Sequence, residues 1–231
     1  MKRFFFLLLF SLLLQPAAWS QQVVNMSLDD FYREFKKYQY NENVGEVEEV
    51  NGSPWDKKEF IPGEIVTTSS QRYSGIPLRL NIYNNQIEFR NEEGKPFVIG
   101  VPELIDHIMI GDEKYVYAPY TIANRIEKGY FMVLAEGKAL LLQKKNVTLL
   151  PAEPAQAYKD PVPARFKRTD SDYYLRILPA EAKRVRNKKE LAAILGDYPA
   201  ELDEFLRKNK TRFNKEAEIT ALIELYNSLS E

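Results

Sequence analysis

The chain has 231 residues, of which 32 are Lys or Arg and 33 are Asp or Glu, and it contains no cysteine. The formal charge of −1 lacks the excess of positive charge that is typical of nucleic-acid-binding domains. The missing cysteines exclude disulfides, thiolate metal sites and a lipid anchor attached through cysteine. A chain of this length buries about 70% of its unfolded surface when it folds, so its stability does not require disulfides.

The first 20 residues have the features of an export signal. Lys2 and Arg3 precede the apolar run FFFLLLFSLLL, and small residues follow at positions 18 and 20. The run is shorter than the roughly 20 apolar residues of a membrane-spanning helix, which favours a cleaved signal peptide over a membrane anchor. Cleavage before Gln21 would leave a formal charge of −3. We therefore expect an exported protein, periplasmic, outer-membrane-associated or secreted, with no membrane span after cleavage.

Residues 21–62 predict a short helix followed by an extended segment. Ser27 and Asp30 have the spacing of a capping box, and Leu28, Phe31 and Phe35 fall on one helical face. An acidic stretch, NENVGEVEEV, and the turn sequence NGSP lead from this helix into the next region.

Residues 63–178 predict an antiparallel sheet. Strand-like runs such as PLRLNIY, QIEFR, YFMVLA and KALLLQKK are separated by short turn sequences, whereas parallel pairing would need long crossovers. The prediction is a curved meander or partial barrel of about eight or more strands. A proline-rich strap at 151–165 interrupts it, and DYYLRIL at 172–178 is the last predicted strand.

Two hairpins of this region differ in the chemistry of their faces. A two-residue turn at Asn84-Asn85 would pair Ile82 with Ile87 and place the apolar residues on one face only. A turn at Glu136-Gly137 would instead give the hairpin 130–143 two apolar faces. The pairs expected there are Phe131 with Leu142, Val133 with Leu140, Met132 with Leu141, and Leu134 with Ala139. An antiparallel pair of this kind must be covered on both sides.

Residues 179–231 predict three short helices that cover one of those faces. The first begins at the cap Asn187 and ends at Gly196, and the second begins near Pro199. The third follows Asn214 and repeats apolar residues at helical spacing. These residues are Ile219, Leu222, Ile223, Tyr226 and Leu229. The predicted fold class is therefore α+β, with the helices and the sheet forming one cooperative unit.

The sequence offers no recognisable catalytic set. The single histidine, His107, lies in an apolar strand without a nucleophile motif, so we interpret it as a structural, hydrogen-bonded residue. The acidic groups at 46–49 and 170–172 lack the spacing of a calcium loop, and no phosphate-binding glycine pattern occurs. We expect a non-enzymatic protein without metal or cofactor. A glycosidase built on two carboxyl groups stays open, and Glu103 and Asp106 are candidates by position alone.

The tyrosines of KYVYAPY are the candidate binding residues. Tyr115 and Tyr117 fall on one face of a predicted strand, with Tyr120 just beyond. A tyrosine presents an apolar ring and a polar tip, which suits stacking on sugars or peptides. The alternative is that these residues are part of the sheet core, because tyrosine is also a favoured strand residue.

Five segments together resemble a group of exported proteins from Bacteroidota. These segments are GEIVTT, GIPLRLNIYNNQIEF, YVYAPY, GYFMVLAEGKALLL and LIELYNSL. The resemblance implies an envelope location and a shared architecture, and it supplies no catalytic residue and no ligand. The favoured hypothesis is a binding or accessory module for a cell-envelope protein or glycan. The alternatives are a periplasmic carrier of a small hydrophobic ligand and a carboxylate-based glycan hydrolase.

Overall fold

The structure of the protein is a computed structural model. It describes residues 25–26, 30–31, 33, 50–155, 158, 160–197 and 199–230. The predicted signal peptide and the acidic residues at 46–49 lie outside the described residues. Most of the helix predicted before residue 36 also lies outside them, although Asp30, Phe31 and Arg33 are helical.

Eleven strands form one sheet, and ten of them follow each other in antiparallel pairs. The strands are β1 Asn25–Met26, β2 Ile61–Thr67, β3 Arg72–Asn81, β4 Gln86–Arg90, β5 Pro96–Val98, β6 Ile105–Ile110, β7 Glu113–Ile122, β8 Arg125–Ala135, β9 Leu140–Leu150, β10 Arg165–Arg176 and β11 Lys183–Arg184. Their order is β11-β10-β9-β8-β7-β6-β2-β3-β4-β5, with β1 parallel to β3. The sheet does not close into a barrel, and the predicted antiparallel α+β fold is confirmed.

The β3–β4 hairpin has a longer turn than predicted. Asn81 pairs with Gln86 and Leu80 with Ile87, so residues 82–85 form the turn and the predicted register was wrong by two residues. The Asn84 N–H donates to the Asn81 side chain, and the N–H groups of residues 82 and 83 donate to the Pro54 carbonyl. These contacts hold a wider turn than a two-residue one. A shift of two residues keeps each side chain on its predicted face.

The polar face of this hairpin carries a buried charged cluster. Glu88 is 1% exposed and accepts a hydrogen bond from Arg79 Nε at 2.6 Å. Asn81 Nδ2 and Trp55 Nε1 each donate to the same carboxylate at 3.0 Å. The Arg79 guanidinium also stacks on the Trp55 ring at 4.0 Å. Every oxygen of the buried carboxylate is therefore paired, which a buried charge requires.

The β8–β9 hairpin also has a longer turn than predicted. Met132 pairs with Gln143 and Val133 with Leu142, and a bulge lies between Val133 and Ala135. The predicted partners were therefore wrong by two residues, while the predicted faces are kept. Leu141 lies in the core beneath the helices, and Leu142 lies in the core on the opposite face.

Three helices cover one face of β8, β9 and β10. They are α1 Lys188–Leu195, α2 Ala200–Asn209 and α3 Glu216–Ser228. The Asn187 side chain caps α1 by accepting from the Glu190 N–H, and Gly196 ends it at φ 72°, as predicted. The stripe of α3 is buried as predicted except for Leu229, which lies beyond the helix end and is 46% exposed. No helix in the described part of the chain is long and apolar enough to cross a membrane.

The opposite face of the same strands encloses a small aromatic core. Its residues are Ala118, Tyr120, Phe131, Leu142, Tyr174 and Ala182. The Ala182 N–H donates to the Pro119 carbonyl at 2.9 Å, and the Thr121 N–H donates to the Ala182 carbonyl at 3.0 Å. Both apolar faces of the β8–β9 hairpin are therefore covered, one by helices and the other by the chain that follows β10.

The segment before β2 joins the two halves of the sheet. The Asn51 N–H donates to the Ala164 carbonyl and the Phe166 N–H donates to the Asn51 carbonyl, next to β10. The Asp56 N–H donates to the Leu80 carbonyl of β3. The predicted strap is largely exposed, and its Glu153 and Val162 exchange two backbone hydrogen bonds.

Candidate functional site

The three candidate tyrosines lie in different surroundings. Tyr115 is 1% exposed and belongs to the large core of the sheet, against which the half-buried Tyr117 packs. Tyr120 is 3% exposed and lies in the small aromatic core on the opposite face of β7. The structure therefore leaves Tyr117 as the partly accessible ring of the three.

Tyr115 is held inside the protein by polar contacts at its hydroxyl. The hydroxyl donates to Glu113 Oε2 at 2.7 Å and accepts from Lys145 Nζ at 3.3 Å. Burial and the Glu113 carboxylate raise the pKa of Tyr115, so the hydroxyl stays neutral. These contacts anchor the ring in the core.

Tyr117 and Tyr120 both line an open cleft of about 450 Å³ at one end of β7 and β8. We call it the tyrosine cleft and define it by Asn84, Asn85, Tyr117, Tyr120, Glu127, Lys128, Tyr130 and Lys144. The tip of the β3–β4 hairpin and the loop after β5 complete its wall. The cleft therefore combines residues from several separate strands and turns.

A chain of polar contacts forms one side of the tyrosine cleft. The Tyr120 hydroxyl donates to Glu127 Oε2 at 2.9 Å and accepts from Lys144 Nζ at 2.6 Å. Burial lowers the pKa of Lys144, although the charges of Glu127 and Asp172 oppose that effect. Among the described residues, no carboxylate lies within ion-pair distance of the Lys144 ammonium. That ammonium can therefore donate further hydrogen bonds to a bound group.

Tyr130 lines the other side of the tyrosine cleft, and its hydroxyl is buried. Its side chain is 4% exposed, and its ring meets the Tyr117 ring edge-to-face at 5.0 Å between centroids. Within the described part of the chain, the Tyr130 hydroxyl has no hydrogen-bond partner. Burial raises the pKa of Tyr130, so the group remains an O–H donor. A buried hydroxyl without a partner destabilises a fold by about 1–3 kcal/mol, so its presence in a native structure calls for an explanation.

The tip of the β3–β4 hairpin closes the cleft against β8. Asn85 Nδ2 donates to the Tyr130 carbonyl at 3.1 Å, and the Tyr130 N–H donates to Asn85 Oδ1 at 2.7 Å. A Cβ at position 129 would lie 2.6 Å from Asn85 Oδ1, so Gly129 permits this approach. The asparagine side chain thereby makes the two hydrogen bonds that a neighbouring strand would make.

A second, charged cleft of about 330 Å³ lies near the start of β10. Lys145 Nζ donates to Asp56 Oδ2 at 2.6 Å and to Glu113 Oε1 at 3.3 Å, and Arg168 Nη1 donates to Asp56 Oδ1 at 3.0 Å. Burial acts to raise the pKa of Asp56, but its bonds with Lys145 and Arg168 outweigh burial and lower it. A glycosidase acid needs a raised pKa, so Asp56 is unsuited to that role.

The other predicted candidates are engaged in local pairs. His107 Nδ1 lies 2.7 Å from Asp106 Oδ2, and Glu103 accepts a hydrogen bond from Lys128 at 3.1 Å. Asp172 forms an ion pair with Arg184 and accepts a hydrogen bond from Asn146 Nδ2 at 3.2 Å. Over residues 50–155 and the described parts on either side, no group of three or more histidine or carboxylate side chains could hold a metal ion.

Comparison with family models, with curated protein sequences and with solved structures found no match to this chain. The site is therefore characterised by its own geometry. Sequence reasoning found Tyr117 and Tyr120 but missed Asn85, Tyr130 and Lys144 as site residues. Lys144 gave a weak signal, because it follows three leucines and Gln143 in a strand whose two faces were predicted to be covered.

Proposed function

We propose that this protein is a non-catalytic, exported module that binds a cell-envelope partner in the tyrosine cleft. One observation carries the proposal: Tyr130, whose buried hydroxyl has no partner in the described structure, and Lys144, whose half-buried ammonium has no complete set of partners there, both line one open cleft. Convergent polar groups in a concave surface with aromatic walls are typical of binding sites.

The chemistry of the cleft favours a partner with both apolar and polar groups. Tyr117 offers part of a ring, Lys144 offers a donor, and Glu127 offers an acceptor. The described residues that line the cleft include no serine, threonine or histidine, which favours binding over catalysis by those groups.

The hydrophobic-carrier alternative would need a cavity between the sheet and the helices. In the described residues this interface is filled, because Leu191, Leu222 and Ile223 are all 0% exposed and pack with Leu141 of β9. The open clefts lie elsewhere and have polar walls. We therefore favour a polar partner over an apolar small molecule.

The test uses the mature chain, residues 21–231, as bait on native cell envelopes. Tyr117→Ala and Lys144→Ala should each reduce recovery of the partner at least tenfold, whereas Tyr158→Ala should not, because Tyr158 is fully exposed in the strap. Circular dichroism melts would confirm that all baits are folded at the temperature of capture. Equal recovery by folded Tyr117→Ala, Lys144→Ala and wild-type baits would refute the cleft as the site.

Export is a separate part of the proposal, supported by Lys2, Arg3 and the apolar run that follows them. We expect the processed protein to begin at or near Gln21 and to be released by osmotic shock without detergent. Mass spectrometry of the N-terminal peptide checks this. An intact Met1 terminus recovered from the membrane fraction would contradict it.

A further inference from the structure

The strand β8 has an open edge beside the tyrosine cleft. β8 pairs with β7 along residues 125–132, but it pairs with β9 only over residues 132–135. β9 continues from Lys144 to Leu150 paired with β10 alone. The two strands therefore separate beyond the Met132–Gln143 pair, and the edge of β8 from residue 125 to residue 131 has no neighbouring strand in the described structure.

Asn85 shows which backbone groups face this open edge. Its side-chain amide bonds both the N–H and the C=O of Tyr130, so these groups point away from β7. Backbone groups alternate in direction along an antiparallel strand, so those of Ile126 and Lys128 point the same way as those of Tyr130. No backbone partner for either residue occurs on this side in the described part of the chain.

The open edge is exposed and continuous with the tyrosine cleft. Residues 125–128 are all exposed, and the apolar side chain of Ile126 is 63% exposed. Glu127, Lys128 and Tyr130 line the cleft as well as forming this part of β8. A segment that paired with the edge would therefore pass along the mouth of the cleft.

We propose that the partner presents an extended peptide, which adds to β8 as a further strand and places one side chain in the tyrosine cleft. The inference rests on the proposed function and specifies the class of partner. Strand addition satisfies backbone N–H and C=O groups at regular spacing, as Asn85 already does at Tyr130. A glycan has no backbone that repeats donor and acceptor at the spacing of the groups on Ile126 and Lys128.

The side chains that border the edge specify the peptide further. Ile126, Lys128 and Tyr130 share one face of β8, and Glu127 lies on the other. The Glu127 face also carries Lys144, through the contacts that both make with Tyr120. Because peptide side chains alternate in the same way, we expect an apolar residue on the Ile126 side, next to polar residues facing Glu127 and Lys144.

The charges on this edge disfavour its pairing with other copies of the chain. Arg125, Glu127 and Lys128 are exposed, and charged residues on an edge strand discourage indiscriminate association. An edge strand with exposed charges selects partners by complementary charge and by the fit of one side chain.

The experiment begins with a phage-displayed library of random heptapeptides, panned against the mature chain. Peptides that bind are synthesised with a fluorophore, and their affinities are measured by fluorescence polarisation. Each backbone amide of the best peptide is then methylated in turn. Strand addition predicts that methylation at alternate positions weakens binding at least tenfold and that methylation between them has little effect. A uniform or absent effect of methylation would overturn the proposal.

Variants of the chain locate the peptide on β8. Lys128→Pro removes an N–H that faces the open edge. Because this N–H points away from β7, no hydrogen bond between β7 and β8 is lost. We expect Lys128→Pro and Ile126→Asp to weaken binding at least tenfold. Leu178→Asp is the matched control, because Leu178 is 62% exposed, lies after β10 and does not line the tyrosine cleft. Equal binding by folded Ile126→Asp and by the control would refute the assigned edge.

The outcomes separate this inference from the proposed function. If no peptide is enriched, while an envelope partner still depends on Tyr117 and Lys144, the peptide proposal fails and the binding function stands. A glycan that binds in a Tyr117-dependent manner would lead to the same conclusion. If no partner depends on Tyr117 or Lys144, the proposed function fails.

Discussion

Asn227 of α3 connects the helical layer to the turn between β8 and β9, and replacing it with alanine tests that connection. Its side chain is 7% exposed. Asn227 Oδ1 accepts from the Ala139 N–H at 2.9 Å, and Nδ2 donates to the carbonyls of Ala139 and Glu136 at 3.0 and 3.1 Å. The side chain also packs on Gly137, where an added Cβ would lie 2.6 Å from Asn227 Cγ.

The expected loss of stability in Asn227→Ala follows from these contacts. Each of the three hydrogen bonds contributes about 0.5–1.5 kcal/mol, and Asn227→Ala would leave buried backbone groups of Ala139 without a partner. We therefore expect the free energy of unfolding to fall by about 2–4 kcal/mol. For a chain of this size, the melting temperature should fall by roughly 5–15 °C.

Urea unfolding followed by far-ultraviolet and near-ultraviolet circular dichroism checks the prediction. The two signals report the helices and the packed tyrosines, and in one cooperative unit they should lose intensity together at a lower urea midpoint. Asn209→Ala is the control, because the exposed Asn209 donates one bond to Phe205 within α2. A wild-type midpoint for Asn227→Ala would refute the reasoning. Loss of the helical signal alone would show that the helices unfold separately from the sheet.

Three further changes test the core, the buried charge and the charged cleft. Leu222→Asp should lower the free energy of unfolding by about 3–5 kcal/mol because it buries an unpaired carboxylate. Leu229→Asp, at an exposed position, is the control and should change that free energy by less than about 0.5 kcal/mol. The urea midpoints of the two variants measure the difference. Glu88→Gln should lower the free energy of unfolding by about 3–5 kcal/mol in the same assay, because it leaves the buried Arg79 charge uncompensated. An unchanged urea midpoint would contradict this. The pKa of Asp56 is lowered, so its contribution is complete above about pH 4 and is lost as the pH falls further. The melting-temperature gap between wild type and Asp56→Asn should therefore narrow as the pH falls below about 4, and a constant gap would refute this assignment.

The features that the sequence predicted correctly are local or periodic. The cap at Asn187 and the stop at Gly196 depend on a few adjacent residues, and the buried stripe of α3 depends on helical spacing. The faces of both hairpins were correct although their registers were wrong, because a shift of two residues does not change the side to which a strand residue points. The prediction that Leu229 is buried was wrong because the helix ends one residue before it.

The candidate site could not be predicted in the same way, because its residues are brought together by the tertiary fold. Asn85, Tyr130 and Lys144 come from a turn, from β8 and from β9, and no periodicity links them. The hydroxyl of Tyr130 is unusual because of what surrounds it, and that becomes visible once the fold is known. The sequence identified Tyr117 through a local cluster, which also contains the buried Tyr115.

The incorrect registers predicted for the β3–β4 and β8–β9 hairpins have a common cause, which also explains how the tyrosine cleft forms. Each hairpin has a turn longer than the two-residue one that its sequence allows. In each case the backbone of the turn is bonded to a distant element: residues 82 and 83 bond the Pro54 carbonyl, and Ala139 bonds Asn227. A two-residue turn would satisfy its own strands and leave few backbone groups free for such contacts. The longer turns therefore link the hairpin ends to the rest of the protein, and one of them builds the wall of the tyrosine cleft.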